Sequence, residues 1–94
     1  MKIRATVTVR GRVQGVAFRH HTARTAARHD VTGWVRNLSD GSVQACFEGE
    51  EHEVMAMVDW CRQGPDLARV DEMTEQLGVF TGEFSGFQIR YGDD

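Results

Sequence analysis

A glycine-punctuated loop that leads to Arg19 carries the most informative chemistry of the sequence. Its core is a run of five residues, Gln14, Gly15, Val16, Ala17 and Phe18. Successive backbone N–H groups in such a loop can converge, and together with a helix start they form a nest for an anion. Gly15 permits close approach, and Arg19 adds a charged planar fork for two phosphoryl oxygens. From physics alone, an ordinary turn and a surface cation remain the commoner interpretations.

Asn37 is the second residue with chemistry to offer. Its amide both donates and accepts hydrogen bonds but is no base at neutral pH, so it could hold a water molecule in line with a bond under attack. Asn37 also precedes the dipeptide Asp40-Gly41, where asparagine is commonly a turn residue. Phosphoryl transfer asks mainly for positioning and for stabilisation of charge on the equatorial oxygens. The loop, Arg19 and Asn37 would supply both if the fold brought them together.

The other polar residues predict structural roles. The histidines form no HExxH or His/Cys ligand spacing, and we expect no metal and no cofactor. We interpret four acidic residues as a solvated edge and helix start, Glu48, Glu50, Glu51 and Glu53. Trp34 and Trp60 are predicted to pack rather than to stack on a ligand. Cys46 and Cys61 lie outside any CxxC spacing, and we expect both to be reduced rather than joined.

Composition limits the classes of protein to consider. The 94 residues fit one domain, residues 1–94, without linker or repeat. A net charge of −3 argues against a protein that coats nucleic acid or an anionic membrane. No segment approaches the roughly 20 apolar residues that span a bilayer. We therefore expect a cytoplasmic protein, a monomer with no nucleic-acid or membrane partner.

The elements that must position these residues follow from hydrophobic periodicity. Alternation predicts strands over about residues 3–9, 33–38, 42–48 and 87–91, with a weaker extended segment at 70–79. Helices are predicted at about 18–29, with Ala23, Ala26 and Ala27 on the buried side, and at about 50–62. The resulting βαββαβ order, with a possible extra C-terminal strand, predicts an α+β ferredoxin-like open sandwich. In it an antiparallel sheet carries two helices on one face, with the first and third strands central.

Two segments resemble the signatures of the acylphosphatase family. GRVQGVAFR, residues 11–19, continued by His21, Thr22 and Ala26, is similar to the first signature. GWVRN, residues 33–37, followed by Gly41, Val43 and Gly49, is similar to the second. Because both occur in the expected order and spacing, the joint match reverses the odds that favour a turn and a surface cation.

The resemblance implies hydrolysis of acyl phosphates to a carboxylate and inorganic phosphate. It makes residues 14–18 the anion loop, Arg19 the phosphate-binding arginine and Asn37 the residue that positions the attacking water. The fold also hosts RNA-binding modules and non-catalytic regulatory modules. An RNA-binding module would expose aromatic residues within a basic pattern, whereas residues 42–50 read SVQACFEGE. A carrier module of a larger enzyme would require further domains, which we do not expect.

Overall fold

The secondary structure follows the predicted order with an eleven-residue strand in place of the weak segment. The structure is a computed structural model that describes residues 1–91; the segment 92–94, which we predict to be a solvated tail, lies outside the described residues. The elements are β1 Lys2–Arg12, α1 Phe18–Arg28, β2 Thr32–Asn37, β3 Val43–Glu50, α2 Glu51–Gln63, β4 Arg69–Val79 and β5 Phe87–Arg90. The ferredoxin-like open sandwich is therefore confirmed, with β5 as the extra strand.

The sheet places β1 and β3 side by side at its centre, as predicted. Its order is β4-β1-β3-β2-β5. The four strands from β4 to β2 are antiparallel, whereas β5 pairs parallel to β2. The parallel pairing arises because β4 and β5 occupy opposite edges, so the connecting segment 80–86 must cross the sheet before β5 begins.

Both helices cover the same face of the sheet. α2 packs on β1, β3 and β4, and α1 packs on β2 and β5. The core between the layers is apolar and includes Val7, Phe47 and Met57, none more than 1% exposed. Cys61 lies in this core, while Cys46 is buried on the sheet's other face; both are free thiols. Trp60 packs edge-on to Phe18, with ring centroids 5.5 Å apart.

The buried side of α1 differs from the alanine-based prediction. Ala26 is buried, but Ala23 is only partly buried and Ala27 is exposed. The buried positions are Phe18, Thr22 and Ala26, which repeat every four residues along one helix face. Thr22 tolerates burial because its hydroxyl donates a 2.7 Å hydrogen bond to the carbonyl of Phe18.

The prediction that Glu48 belongs to a solvated acidic edge was wrong. Its side chain is fully buried on the helix-free face of the sheet. The carboxylate accepts hydrogen bonds from Arg4 Nε at 2.7 Å, from the backbone N–H and hydroxyl of Thr81, both at 3.0 Å, and from the backbone N–H of Gly82 at 3.1 Å. Glu48 therefore fastens the crossing segment 80–86 to the sheet.

Two observations concern the helices and the polar side chains of residues 1–91. Neither helix there combines the length and apolarity that a bilayer-spanning helix requires. No three histidine, cysteine or acidic side chains of this part of the chain are grouped as a metal site.

Candidate active site

The loop between β1 and α1 is held in a conformation that few residues adopt. Gly15 has φ 75°, and Ala17, the N-cap of α1, has φ 60° and ψ 30°. A left-handed conformation costs a residue with a side chain about 1–2 kcal/mol, and such strain concentrates at functional sites. A Cβ on Gly15 would meet no protein atom within 4 Å. Glycine is therefore favoured here by its backbone angle rather than by crowding from the protein.

This conformation leaves a run of backbone donors unpaired. None of the N–H groups from Gln14 to His20 donates a hydrogen bond to another residue of 1–91. The first paired amide is that of His21, which donates to the carbonyl of Ala17 at 3.1 Å. Because the first turn of a helix also carries partial positive charge, the unpaired amides form an anion-binding nest.

The nest opens into a cavity of about 240 Å³ that brings the two predicted catalytic residues together. Arg19 and Asn37 both line it. The lining also includes four of the five predicted loop residues, Gln14, Gly15, Ala17 and Phe18. Val16, the fifth, does not line this cavity, because its side chain is buried to 7% exposure and packs in the core. Val16 can therefore contribute only its main chain to an anion.

Gln14 braces the loop against the turn after β2. Its side-chain Nε2 donates to the carbonyls of Leu38 at 2.8 Å and Ser42 at 2.9 Å. Because Leu38 follows Asn37 directly, these bonds fix the distance between the anion loop and the end of β2. The Gln14 side chain is thus a structural brace, and only its backbone N–H is free to reach a ligand.

The side chains of Arg19 and Asn37 are both open to a ligand. Arg19 forms no ion pair within residues 1–91, and its guanidinium carbon lies 4.9 Å from the centroid of the Tyr91 ring. This cation–π contact orients the guanidinium while leaving its N–H donors available. The half-buried Asn37 makes no side-chain hydrogen bond to another described residue. A positive fork and a neutral amide therefore face one cavity.

Sequence reasoning missed Ile89 and Tyr91 as lining residues of the cavity. The only signal was their alternation with Phe87. This pattern predicts a strand, but it does not predict which strand or loop lies beside it. They reach the site because β5 joins the sheet beside β2, with Ile89 opposite Val35.

Comparison with known proteins identifies the family of this chain. The family model for acylphosphatase matches residues 5–89. The chain belongs to the acylphosphatase family. It is 60% identical over 91 residues to the acylphosphatase of Geotalea uraniireducens, a match that covers 97% of this chain and 100% of that protein. Both signature segments lie within the matched residues.

Solved acylphosphatase structures share the fold. The crystal structure of the acylphosphatase from Bacillus subtilis matches with a TM-score of 0.90 and 29% identity, covering 95% of this chain and 99% of that chain. The acylphosphatase from Coxiella burnetii matches with a TM-score of 0.89 and 36% identity, covering 95% of this chain and 93% of that chain.

Proposed function

We propose that the chain hydrolyses the carboxyl–phosphate bond of acyl phosphates, with its active site in the cavity of Arg19 and Asn37. The observation that carries this proposal is the meeting of unpaired loop amides, an unpaired guanidinium and an unpaired carboxamide in one cavity. Membership of the acylphosphatase family supports the same reaction.

The anion loop and Arg19 bind the phosphoryl group in this proposal. The amides of residues 14–18 donate to its oxygens, and the guanidinium of Arg19 holds two of them as a bidentate fork. These donors are fixed before substrate arrives, by the brace of Gln14 and by the ring of Tyr91. Preorganised donors of this kind stabilise the charge on the equatorial oxygens in the transition state without reorganisation.

Asn37 orients the attacking water. The water oxygen bonds to phosphorus, the bond between phosphorus and the carboxyl oxygen breaks, and the carboxylate leaves with the electron pair. Because a carboxylate is a weak base, no general acid is needed. The proton of the attacking water passes to a phosphoryl oxygen, so the products are a carboxylate and inorganic phosphate. This route asks the protein for alignment and charge stabilisation only.

We further propose that residues 1–94 act as one cytoplasmic domain, as a monomer without metal or cofactor. Two buried free thiols fit a reducing compartment. We propose no nucleic-acid partner. The helix-free face of the central strands β1 and β3 carries no aromatic residue; its side chains are Lys2, Arg4, Thr6, Thr8, Arg10, Gln44, Cys46, Glu48 and Glu50. An RNA-binding module of this fold stacks bases on aromatic residues there.

Two substitutions separate binding from turnover in a steady-state assay with benzoyl phosphate and a chelator. Arg19→Ala should lower kcat/KM by about 10²–10³-fold and abolish competitive inhibition by inorganic phosphate. Asn37→Ala should lower kcat to a similar degree while the inhibition constant of phosphate stays within about twofold. Arg62→Ala, which removes an exposed arginine from α2, is the matched control and should resemble the wild type.

A different result would refute each part of the proposal. Wild-type turnover by Asn37→Ala would refute the water-positioning role. Retained phosphate inhibition in Arg19→Ala would refute the binding role, and loss of wild-type activity with the chelator would refute the metal-free reaction.

A further inference from the structure

A second cavity, of about 590 Å³, begins where the anion loop ends. Gly15 and Ala17 line both this cavity and the phosphate cavity. One wall is a face of α1 that presents His21, Arg24, Thr25 and Arg28. These residues are spaced by three and four positions, so they lie on one side of the helix. The opposite wall comes from Trp60 and the turn 64–67. We name this cavity, with these walls, the basic groove.

The two arginines of the basic groove lack partners. Arg24 and Arg28 are exposed, and neither makes a hydrogen bond or ion pair with another residue of 1–91. In contrast, Arg4, Arg62 and Arg69 each pair with a carboxylate. Like charges one helical turn apart disfavour the helix. Arg28 lies in the last turn, where a cation suits the helix dipole, but Arg24 has no such compensation.

The remainder of the groove combines an apolar wall with a net positive charge. Trp60, Pro65 and Leu67 line the wall facing the arginines, and Leu67 is 75% exposed. Among the described lining residues, Asp66 alone is acidic, and it pairs with neither arginine. Two cations against one carboxylate leave the groove positive in a chain whose formal net charge is −3. An apolar wall opposite unpaired cations suits a hydrocarbon segment that ends in an anion.

From this juxtaposition we infer that the basic groove holds the acyl part of the substrate and selects acyl phosphates with a second anionic group, a carboxylate or a phosphate. The inference rests on the proposed function, because the phosphoryl group must occupy the neighbouring cavity. Arg24 lies five residues beyond Arg19, a rise of about 8 Å along α1 and a turn of about 140° around its axis. The acyl part would therefore pass from the phosphate cavity across Gly15 and Ala17, which line both cavities, to reach Arg24.

A pair of substrates that differ in one charge tests the selection. Benzoyl phosphate and 4-carboxybenzoyl phosphate share the ring and the scissile bond, and only the second bears a distal carboxylate. The readout is the ratio of their kcat/KM values, the charged over the neutral substrate. Because the same two substrates are used with every variant, their intrinsic difference in reactivity cancels when variants are compared. A third substrate, 4-phosphonobenzoyl phosphate, distinguishes a distal phosphate from a distal carboxylate.

The double variant Arg24→Gln/Arg28→Gln should lower this ratio by about five- to tenfold. Arg24→Gln alone should account for part of the loss. Lys2→Gln is the charge-matched control for Arg24→Gln, because it also removes one positive charge and Lys2, which begins β1, lies at the other end of the strand from the anion loop. It should leave the ratio within about twofold of the wild type. A larger fall with the phosphonate than with the carboxylate would assign the groove to a distal phosphate.

Two results would overturn the inference alone: an unchanged ratio in the double variant, or an equal fall in Lys2→Gln, which would indicate the general field of the protein. If the wild type hydrolysed no acyl phosphate, the proposed function would fail, and the inference with it.

Discussion

Replacing Glu48 tests how the structure holds its active site from a distance. The carboxylate is fully buried, and it accepts hydrogen bonds from Arg4 of β1 and from Thr81 and Gly82 of the crossing segment. That segment leads into β5, which is followed by Tyr91, the residue that contacts the Arg19 guanidinium. We therefore expect Glu48→Gln to weaken the fold and, through β5, to loosen the site.

The magnitude follows from the bonds that are lost. Glutamine keeps the shape of the side chain but loses its charge. Its amide NH2 group also faces the donors of Arg4, Thr81 and Gly82 and cannot accept their hydrogen bonds. Removing one partner of a buried ion pair costs about 3–5 kcal/mol because an uncompensated charge remains. Arg4 is partly exposed and keeps its bond to Glu83 at 2.8 Å, so we expect the lower end, about 3 kcal/mol in the free energy of unfolding. Urea unfolding followed by tryptophan fluorescence and circular dichroism measures this loss.

Acidification should show the same interaction. Burial by itself raises the pKa of Glu48, but the hydrogen bonds from Arg4, Thr81 and Gly82 outweigh burial and hold this pKa below its ordinary value of 4.5. A lowered pKa in the folded state means that the stabilisation is present above about pH 4.5 and is lost as pH falls through the folded-state pKa. The stability of Glu48→Gln should therefore fall less steeply than that of the wild type below pH 4.5.

Glu50 provides the matched control on the same strand. Its side chain is 48% exposed, and its one ion pair within residues 1–91 is with the N-terminal amine, at 3.5 Å. Glu50→Gln should change the free energy of unfolding by less than about 0.5 kcal/mol. Two results would show that the buried network does not hold the crossing segment. One is an equal free energy of unfolding for Glu48→Gln and Glu50→Gln. The other is an equal loss of that free energy in the two variants as the pH falls below 4.5.

Three further predictions concern the site and the core. Gly15 and Gly41 both have positive φ and open space at the position of a Cβ. Replacing either with alanine should lower the free energy of unfolding in urea by about 1 kcal/mol. Only Gly15→Ala should also weaken competitive inhibition by phosphate, because only Gly15 belongs to the anion loop. Tyr91→Leu should raise the inhibition constant of phosphate about threefold through the lost cation–π contact, whereas Tyr91→Phe should not; equal effects would refute that contact. Burial raises the pKa of Cys61 to about 12, and Cys46 is 1% exposed, so a thiol reagent at pH 8 should modify both only as fast as the protein unfolds.

The parts of the site that are contiguous in the chain could be predicted from the sequence. Gly15 and the helix start at Phe18 are local features, because a loop of this composition before a helix generates free amides wherever it is placed. The prediction of a catalytic role for Asn37 depended on the two signatures taken together, because the residues around Asn37 fit a turn equally well. The loop and Asn37 meet in one cavity because β1 and β2 both run antiparallel to β3, which lies between them, so both strands end at the same end of the sheet, as the predicted topology implied.

Burial of individual residues was harder to predict. Glu48 lies in an acidic stretch, and its partners Thr81 and Gly82 are 33 and 34 residues away, so no local pattern distinguishes a buried acceptor from a solvated edge. Ala27 was expected inside because it is small and apolar, but the helix turns it outward.

The sequence by itself determined the order of elements, the fold class, the anion loop and the family, because alternation, helical periodicity and turn residues act over a few neighbouring positions. Only the tertiary structure decided which side chains complete the site: Gln14 as a brace, Tyr91 beside Arg19, and Arg24 unpaired in a groove next to the loop. These outcomes depend on how distant segments cross and pair, and such contacts leave no periodic signal in a single chain.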